Sequence, residues 1–164
     1  MAVSGKYMAY VGSYSYTGKA KGITVYDVDV EKGVFHKRCE VEVDNSSYVI
    51  ASSDGKTLYS IADEGVVAFR ILENGSLSRL NSAKINGMRG CHLSTDADDK
   101  YIFVSGYHDG KATVLRLGKD GAVGEIVDGV FHKGLGSVAE RNFRPHVNCK
   151  LLSSYSGQQV CSGS

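Results

Sequence analysis

Between His132 and His146 the chain places two histidines, one glutamate and two arginines within fifteen residues, in the order His132, Glu140, Arg141, Arg144 and His146. An arginine presents a planar fork of N–H donors to an anion, and a histidine beside a carboxylate can move protons near neutral pH. The mixture therefore fits an anionic substrate with a proton transferred to or from it. The plain alternative is a long surface connection whose charges are solvated. Gly134-x-Gly136-x-x-Ala139 also matches a dinucleotide fingerprint, but Pro145 would cut the required helix and no βαβ pattern surrounds it. A second candidate is His92, next to Cys91 and just ahead of Leu93-Ser94. It stands at the start of what reads as an inner strand, near the mouth of a channel, although a lone histidine is more often a satisfied structural residue.

The remaining chemistry is sparse. Cys39, Cys91, Cys149 and Cys161 show no two-residue spacing, so neither a zinc knuckle nor a redox pair is indicated. They read as small apolar residues, with Cys91 the one closest to candidate chemistry. The carboxylate cluster of a hard-cation site is missing, so no metal and no cofactor is expected.

The elements that must position these groups repeat along the chain every 43 to 46 residues. Lys56-Thr57-Leu58-Tyr59-Ser60-Ile61 overlays Lys100-Tyr101-Ile102-Phe103-Val104-Ser105, and Val67-Ala68-Phe69-Arg70-Ile71 overlays Thr113-Val114-Leu115-Arg116-Leu117. Thr24-Val25-Tyr26-Asp27-Val28 supplies an earlier copy. Each copy then turns at Lys32-Gly33, Asn74-Gly75 or Asp120-Gly121, where glycine can take positive φ in a hairpin. Met8–Val11, Leu58–Ala62 and Tyr101–Val104 are nearly continuous apolar runs, as expected of inner strands covered on both faces. Ile23–Val30 and Val66–Ile71 interleave Asp27, Asp29 and Arg70 with apolar residues and read as strands nearer the outside. A strand-borne period of this length predicts an all-β chain forming a β-propeller. It has about three four-stranded blades and the start of a fourth.

Propellers close with about four to eight blades, so the ring predicted here is incomplete. After Cys149 the repeat fails, and a serine-rich end carries no charge beyond Lys150. The expected division is a partial propeller over 1–149 and an aberrant or disordered tail over 150–164, with truncation or a frame shift of a longer protein as the preferred account. An open end blade would expose unpaired edges and favour self-association. The formal charge of +1 and the lack of a basic cluster argue against a nucleic-acid partner. No apolar run approaches a membrane span, and Met1–Lys6 lacks the apolar core of a signal peptide. A cytoplasmic protein without membrane contact is expected.

The sequence resembles the seven-bladed β-propeller lactonase family of the bacterial 6-phosphogluconolactonase type. The residues carrying the resemblance are Tyr10-Val11-Gly12-Ser13-Tyr14, Gly22–Tyr26, Ser53–Tyr59, Gly65–Phe69, Cys91–Ser94 and, most selectively, Gly134–Asn148 with Glu140-Arg141 and Arg144-Pro145-His146. It covers the amino-terminal part of members roughly twice as long. The resemblance implies hydrolysis of a sugar δ-lactone, most directly 6-phosphogluconolactone to 6-phosphogluconate in the pentose phosphate pathway, with this short chain expected to be inactive alone. By that analogy His146 or His92 is the candidate base, Arg141 the oxyanion or phosphate partner, Glu140 the group that orients them, and Arg144 a further phosphate contact. The competing readings are a muconate-cyclising or other lactone enzyme and a non-enzymatic propeller scaffold, since one fold hosts many functions.

Overall fold

The strands end where turn chemistry stops them. Asn74 Oδ1 accepts a hydrogen bond from the Ser76 amide at 3.0 Å and Asp120 Oδ1 one from the Ala122 amide at 3.1 Å. The glycine between each pair takes positive φ, 78° at Gly75 and 84° at Gly121, a region that side chains with a Cβ disfavour.

The computed structural model describes residues 7–134, 145–152 and 159–163. Among them every regular element is a strand. β1 (Tyr7–Gly12), β2 (Gly22–Asp29) and β3 (Val34–Glu42) form a sheet in that order. β4 (Val49–Ala51), β5 (Thr57–Ala62), β6 (Gly65–Ile71) and β7 (Leu77–Lys84) form a second. β8 (His92–Thr95), β9 (Tyr101–Gly106), β10 (Lys111–Leu117) and β11 (Val123–Phe131) form a third, and β12 (Val147–Leu152) pairs with β13 (Gln159–Gly163). All pairings are antiparallel between sequence neighbours. This is the all-β, incomplete propeller expected of the repeat.

The sheets stack face to face because their middle strands are apolar on both sides. Tyr59, Ile61, Val66 and Ala68 of β5 and β6 pack against Leu93, Ile102, Val104 and Leu115 of the third sheet. The alternate residues Leu58, Val67 and Phe69 pack on Ile23 and Val43 from the first sheet side. Successive side chains of a strand point to opposite faces, so one strand pair serves two cores.

The radial order differs from the sequence expectation. The long apolar strands β5 and β9 are second from the centre; the innermost places belong to β4 and β8, three and four residues long. β4 touches β1 and β8, and β8 touches β12. Strands so short carry no readable periodicity. β6 is one place further out than β5 but just as buried over Gly65–Phe69. The mostly exposed outer strands are β3, β7 and β11. In the first sheet β1 has no neighbour on its inner edge among the described residues and is correspondingly more exposed. β12 and β13 extend regular pairing across the boundary drawn at residue 149.

Phe69, 1% exposed at the centre of one core, and Phe35, 57% exposed on β3, give opposite expectations. Phe69→Ala lowers the unfolding free energy by about 3–5 kcal/mol; Phe35→Ala changes it by about 0.5 kcal/mol or less. Urea titration followed by tyrosine near-ultraviolet circular dichroism measures both.

Candidate active site

The innermost strands begin at a common end of the stack. The Ile61 amide bonds to the Tyr48 carbonyl and the Cys91 amide to the Ser105 carbonyl. The start of β4 thus lies beside the β5–β6 turn, and the start of β8 beside the β9–β10 turn. His92, His108, His132 and His146, four of the five histidines, belong to the starts, turns and connections of this end; His36 lies in β3.

Register makes Tyr48 and His92 equivalent, and the buried residue that follows adds His146 to the same position. Val49 pairs with Ser60 and Leu93 with Val104, each partner 44 residues from its counterpart, so Tyr48 corresponds to His92. His146 precedes the buried Val147 of β12 as His92 precedes the buried Leu93 of β8. One position per sheet therefore presents a ring at the channel end of the inner strand. The Tyr48 and His92 rings lie 4.7 Å apart, tilted by 47°.

His146 stacks on Tyr107 with centroids 4.1 Å apart and planes 11° from parallel. Its Nδ1 lies 2.6 Å from the Tyr107 carbonyl oxygen. A carbonyl can only accept, so Nδ1 carries a proton and, in the neutral ring, the lone pair is on Nε2, the tautomer a general base needs. Tyr107 in the β9–β10 turn thus fixes both the orientation and the tautomer of His146.

Cys91 corresponds to Ser47. Ser47 Oγ donates to the Gly90 carbonyl at 3.3 Å, and Cys91 Sγ to the Val147 and Asn148 carbonyls at 3.3 and 3.4 Å. Burial pushes the Cys91 thiol above its ordinary value, against hydrogen bonding with the Tyr107 backbone. It is a protonated tie between inner strands rather than a nucleophile.

Around the rim, Asp63 in the β5–β6 turn joins three sheets. It accepts from Asn45 Nδ2 at 3.1 and 2.9 Å and from an Arg89 Nη at 2.9 Å. Asn45 in turn holds the β1–β2 connection through Ser15 and Tyr16. The Arg89 guanidinium sits 4.9 Å from the centre of the Tyr14 ring. Burial alone pushes the Asp63 carboxyl up, but hydrogen bonds from Asn45 and Arg89 and the charge of Arg89 together hold it below its ordinary value.

Of the residues singled out from sequence, His92 and His146 occupy equivalent positions at this end. Glu140, Arg141 and Arg144 lie outside the described residues, although the connection that holds them leaves from His132 and returns at Pro145, both at this end. His132 donates its amide to the Gly110 carbonyl at 3.0 Å. Sequence reading passed over Tyr48, Asp63, Arg89 and Tyr107. The 44-residue register would have found Tyr48 from His92; no motif marks the others. No cluster of three or more metal-ligating side chains occurs among the described residues, and no helix among them is long and apolar enough to cross a membrane.

A family model for the seven-bladed β-propeller lactonases matches residues 8–158. The 6-phosphogluconolactonase of Bacillus subtilis (strain 168) is 33% identical over 149 residues, 87% of this chain and 42% of that protein. The 6-phosphogluconolactonase of Pectobacterium carotovorum is 38% identical over 65 residues, 40% of this chain and 19% of that protein. A candidate 6-phosphogluconolactonase of known structure from Bacteroides fragilis superposes with a TM-score of 0.89 at 32% identity, over 98% of this chain and 46% of its own. The periplasmic gluconolactonase of Pseudomonas aeruginosa, at 24% identity and a TM-score of 0.85 over 95% of this chain and 46% of its own, shares the fold. The chain thus spans less than half the length of these proteins.

Because the Asp63 carboxyl is held below its ordinary value of 3.8, its contribution to stability is complete above that pH and is lost as pH falls through the lower folded value. Asp63→Asn should therefore flatten the acid limb of the stability profile below about pH 4, as followed by urea titrations at successive pH values. An unaltered acid limb would show that the three-sheet junction does not depend on the charge of Asp63.

Proposed function

The chain belongs to the seven-bladed β-propeller lactonase family, and we propose that it carries the general-base part of a lactonase acting on a sugar δ-lactone, with 6-phosphogluconolactone as substrate. The observation that supports this reading most is His146, whose Nδ1 proton is committed to the Tyr107 carbonyl, which sets the neutral ring in the tautomer with its lone pair on Nε2. His92 at the equivalent place of the next inner strand is the second candidate for the same role.

In the proposed reaction Nε2 of His146 takes a proton from water as its oxygen attacks the lactone carbonyl. The tetrahedral oxyanion is stabilised by Arg141, held in place by Glu140. Collapse breaks the bond to the ring oxygen, and the imidazolium returns its proton to that leaving oxygen, giving the open hydroxy acid. Arg144 would offer a further cation to a phosphate. A phosphorylated substrate fits this inventory because two arginines in one short segment exceed what one oxyanion needs.

His146→Gln is expected to lower kcat about 100-fold or more in a chimera where this chain replaces the matching part of the Bacillus subtilis relative. Hydrolysis is to be corrected for the spontaneous rate. Full activity of the variant would exclude His146 as the base, whereas its loss of activity beside an unchanged His92→Gln variant would leave His146 alone in that role. No hydrolysis of any lactone by the unsubstituted chimera would favour a binding scaffold.

The proposal extends to self-association of the isolated chain. Among the described residues β1 offers an open edge, and Tyr7 and Phe35 on the same sheet and Val30 in its β2–β3 turn expose apolar surface; edges and patches of this kind pair with other copies. Sizing by light scattering should give species larger than 17.6 kDa, and a clean monomer would contradict it.

A further inference from the structure

Two strongly exposed tyrosines are held on a loop that has little freedom to move. Asn45, only 8% exposed, accepts from the amides of Ser15 and Tyr16 at 2.9 and 3.1 Å and donates its own amide to Ser15 Oγ at 3.0 Å. Ser15 Oγ also donates to the Val43 carbonyl at 3.4 Å. Asn45 adopts φ of 51° to do so, a conformation uncommon outside glycine and tolerated best by Asn and Asp. What this anchoring displays is Tyr14 and Tyr16, 47% and 72% exposed with ring centroids 5.6 Å apart. Rigid aromatic surface offered to solvent contributes nothing to the core.

Arg89 comes to the same place from another sheet on an equally fixed support. Lys111, buried, donates from Nζ to the Ile85 and Asn86 carbonyls at 2.8 and 3.2 Å. Asp109 accepts from the Met88 amide at 2.9 Å. The loop that carries Arg89 is therefore pinned on both sides of residue 87. One Nη of Arg89 bonds to Asp63 while the guanidinium lies over the Tyr14 ring. A guanidinium has five N–H donors, so a single contact to a carboxylate shared with Asn45 fixes its direction without exhausting it.

Arg89 is three residues from His92, a chain distance of at most about 11 Å, so a six-carbon substrate could touch both ends of that span. We propose that Arg89 and Tyr14 form the anionic-sugar subsite of this rim: Arg89 binds the phosphate by a charge-assisted fork, and the Tyr14 ring stacks on the apolar C–H face of the sugar. The inference rests on the lactonase reading and assigns to these residues the preference for a phosphorylated over an unphosphorylated sugar. Arg89 would then be more than a tie between sheets.

Two measurements test it. In the chimera, kcat/KM is compared for 6-phosphogluconolactone and glucono-δ-lactone. Arg89→Gln is expected to lower the preference for the phosphorylated lactone about 10- to 100-fold through KM, the range of a lost charged hydrogen bond. Arg89→Lys should restore part of that preference, and Tyr14→Leu should raise KM for both lactones. Equal losses on the two lactones with Arg89→Gln, together with a lowered melting temperature, would reduce Arg89 to a structural tie and overturn the proposal. Separately, NMR titration of the unextended chain should show 6-phosphogluconate binding at least 10-fold tighter than gluconate, with the difference removed by Arg89→Gln; equal affinities would overturn it as well. Hydrolysis without any Arg89 dependence would sink the subsite and leave the lactonase reading standing. Arg89-dependent binding without hydrolysis would do the reverse.

Discussion

β5 and β6 are apolar on both faces, and a strand pair of that kind cannot remain in contact with water on either side. Tyr59, Ile61, Val66 and Ala68 need one cover and Leu58, Val67 and Phe69 another, so the second sheet requires a neighbour before it and a neighbour after it. Stacking is the only arrangement that meets both demands with sheets of the same construction. Radial order follows, because sheets repeated around a central channel come closest at their innermost strands. The three-residue β4 and four-residue β8 occupy that place, which brings Tyr48, just before β4, and His92, the first residue of β8, to ring contact.

Polar groups serve both ends of the stack. At the end formed by the hairpins 52–56, 74–76, 96–100 and 118–122, several side-chain acceptors serve their own turns: Asp54 takes the Lys56 amide, Asp96 the Lys100 and Tyr101 amides, Asp120 the Ala122 amide. Asp99 there reaches between sheets, accepting from the Ser53 amide at 2.6 Å. At the other end the equivalent groups reach between sheets, as Asp63 does to Asn45 and Arg89, Cys91 to Val147, and His146 to Tyr107. Contacts of this second kind fix side chains relative to one another across the stack, which a site assembled from several sheets requires.

Much of this was legible in the sequence, and the reason lies in the repeat. Copies of Lys56–Ile61 and Val67–Ile71 disclosed the sheets, and Gly75 and Gly121 disclosed their turns, because a buried strand and a positive φ each demand a narrow choice of residue. The innermost strands escaped notice since three or four residues show no period, and β6 was placed too near the surface because the single Arg70 suggested solvent. Arg70 lies at the end of β6, where its Nη reaches the Asp120 carbonyl at 2.8 Å; the five residues before it are buried. His92 was found as a lone residue and His146 as a member of the His132–His146 segment. The equivalence of Tyr48 and His92 became visible only through the pairings Val49 with Ser60 and Leu93 with Val104, and that of His146 through the buried Val147 that follows it. Asp63, Arg89 and Tyr107 could not be found, because a lone turn residue whose partners lie 18, 26 or 39 positions away leaves no local pattern.

The distance between those partners also explains how a repeating scaffold can hold a site that does not repeat. Tyr48, His92 and His146 share one structural position, yet each meets a different neighbour: Tyr48 and His92 meet one another, while His146 meets a turn residue of the preceding sheet. Burial constrains the residue that follows, Val49, Leu93 or Val147, to be apolar, and leaves the preceding one free to vary. The same freedom applies to Ser47 and Cys91, which keep the donor role while changing the atom. Core positions therefore carry most of the stack, to which Tyr48 adds a partly buried ring packed on the larger core. His146 has its direction decided by Tyr107 of the preceding sheet rather than by its own, so the tautomer of its neutral ring is set by the assembly and by no single blade.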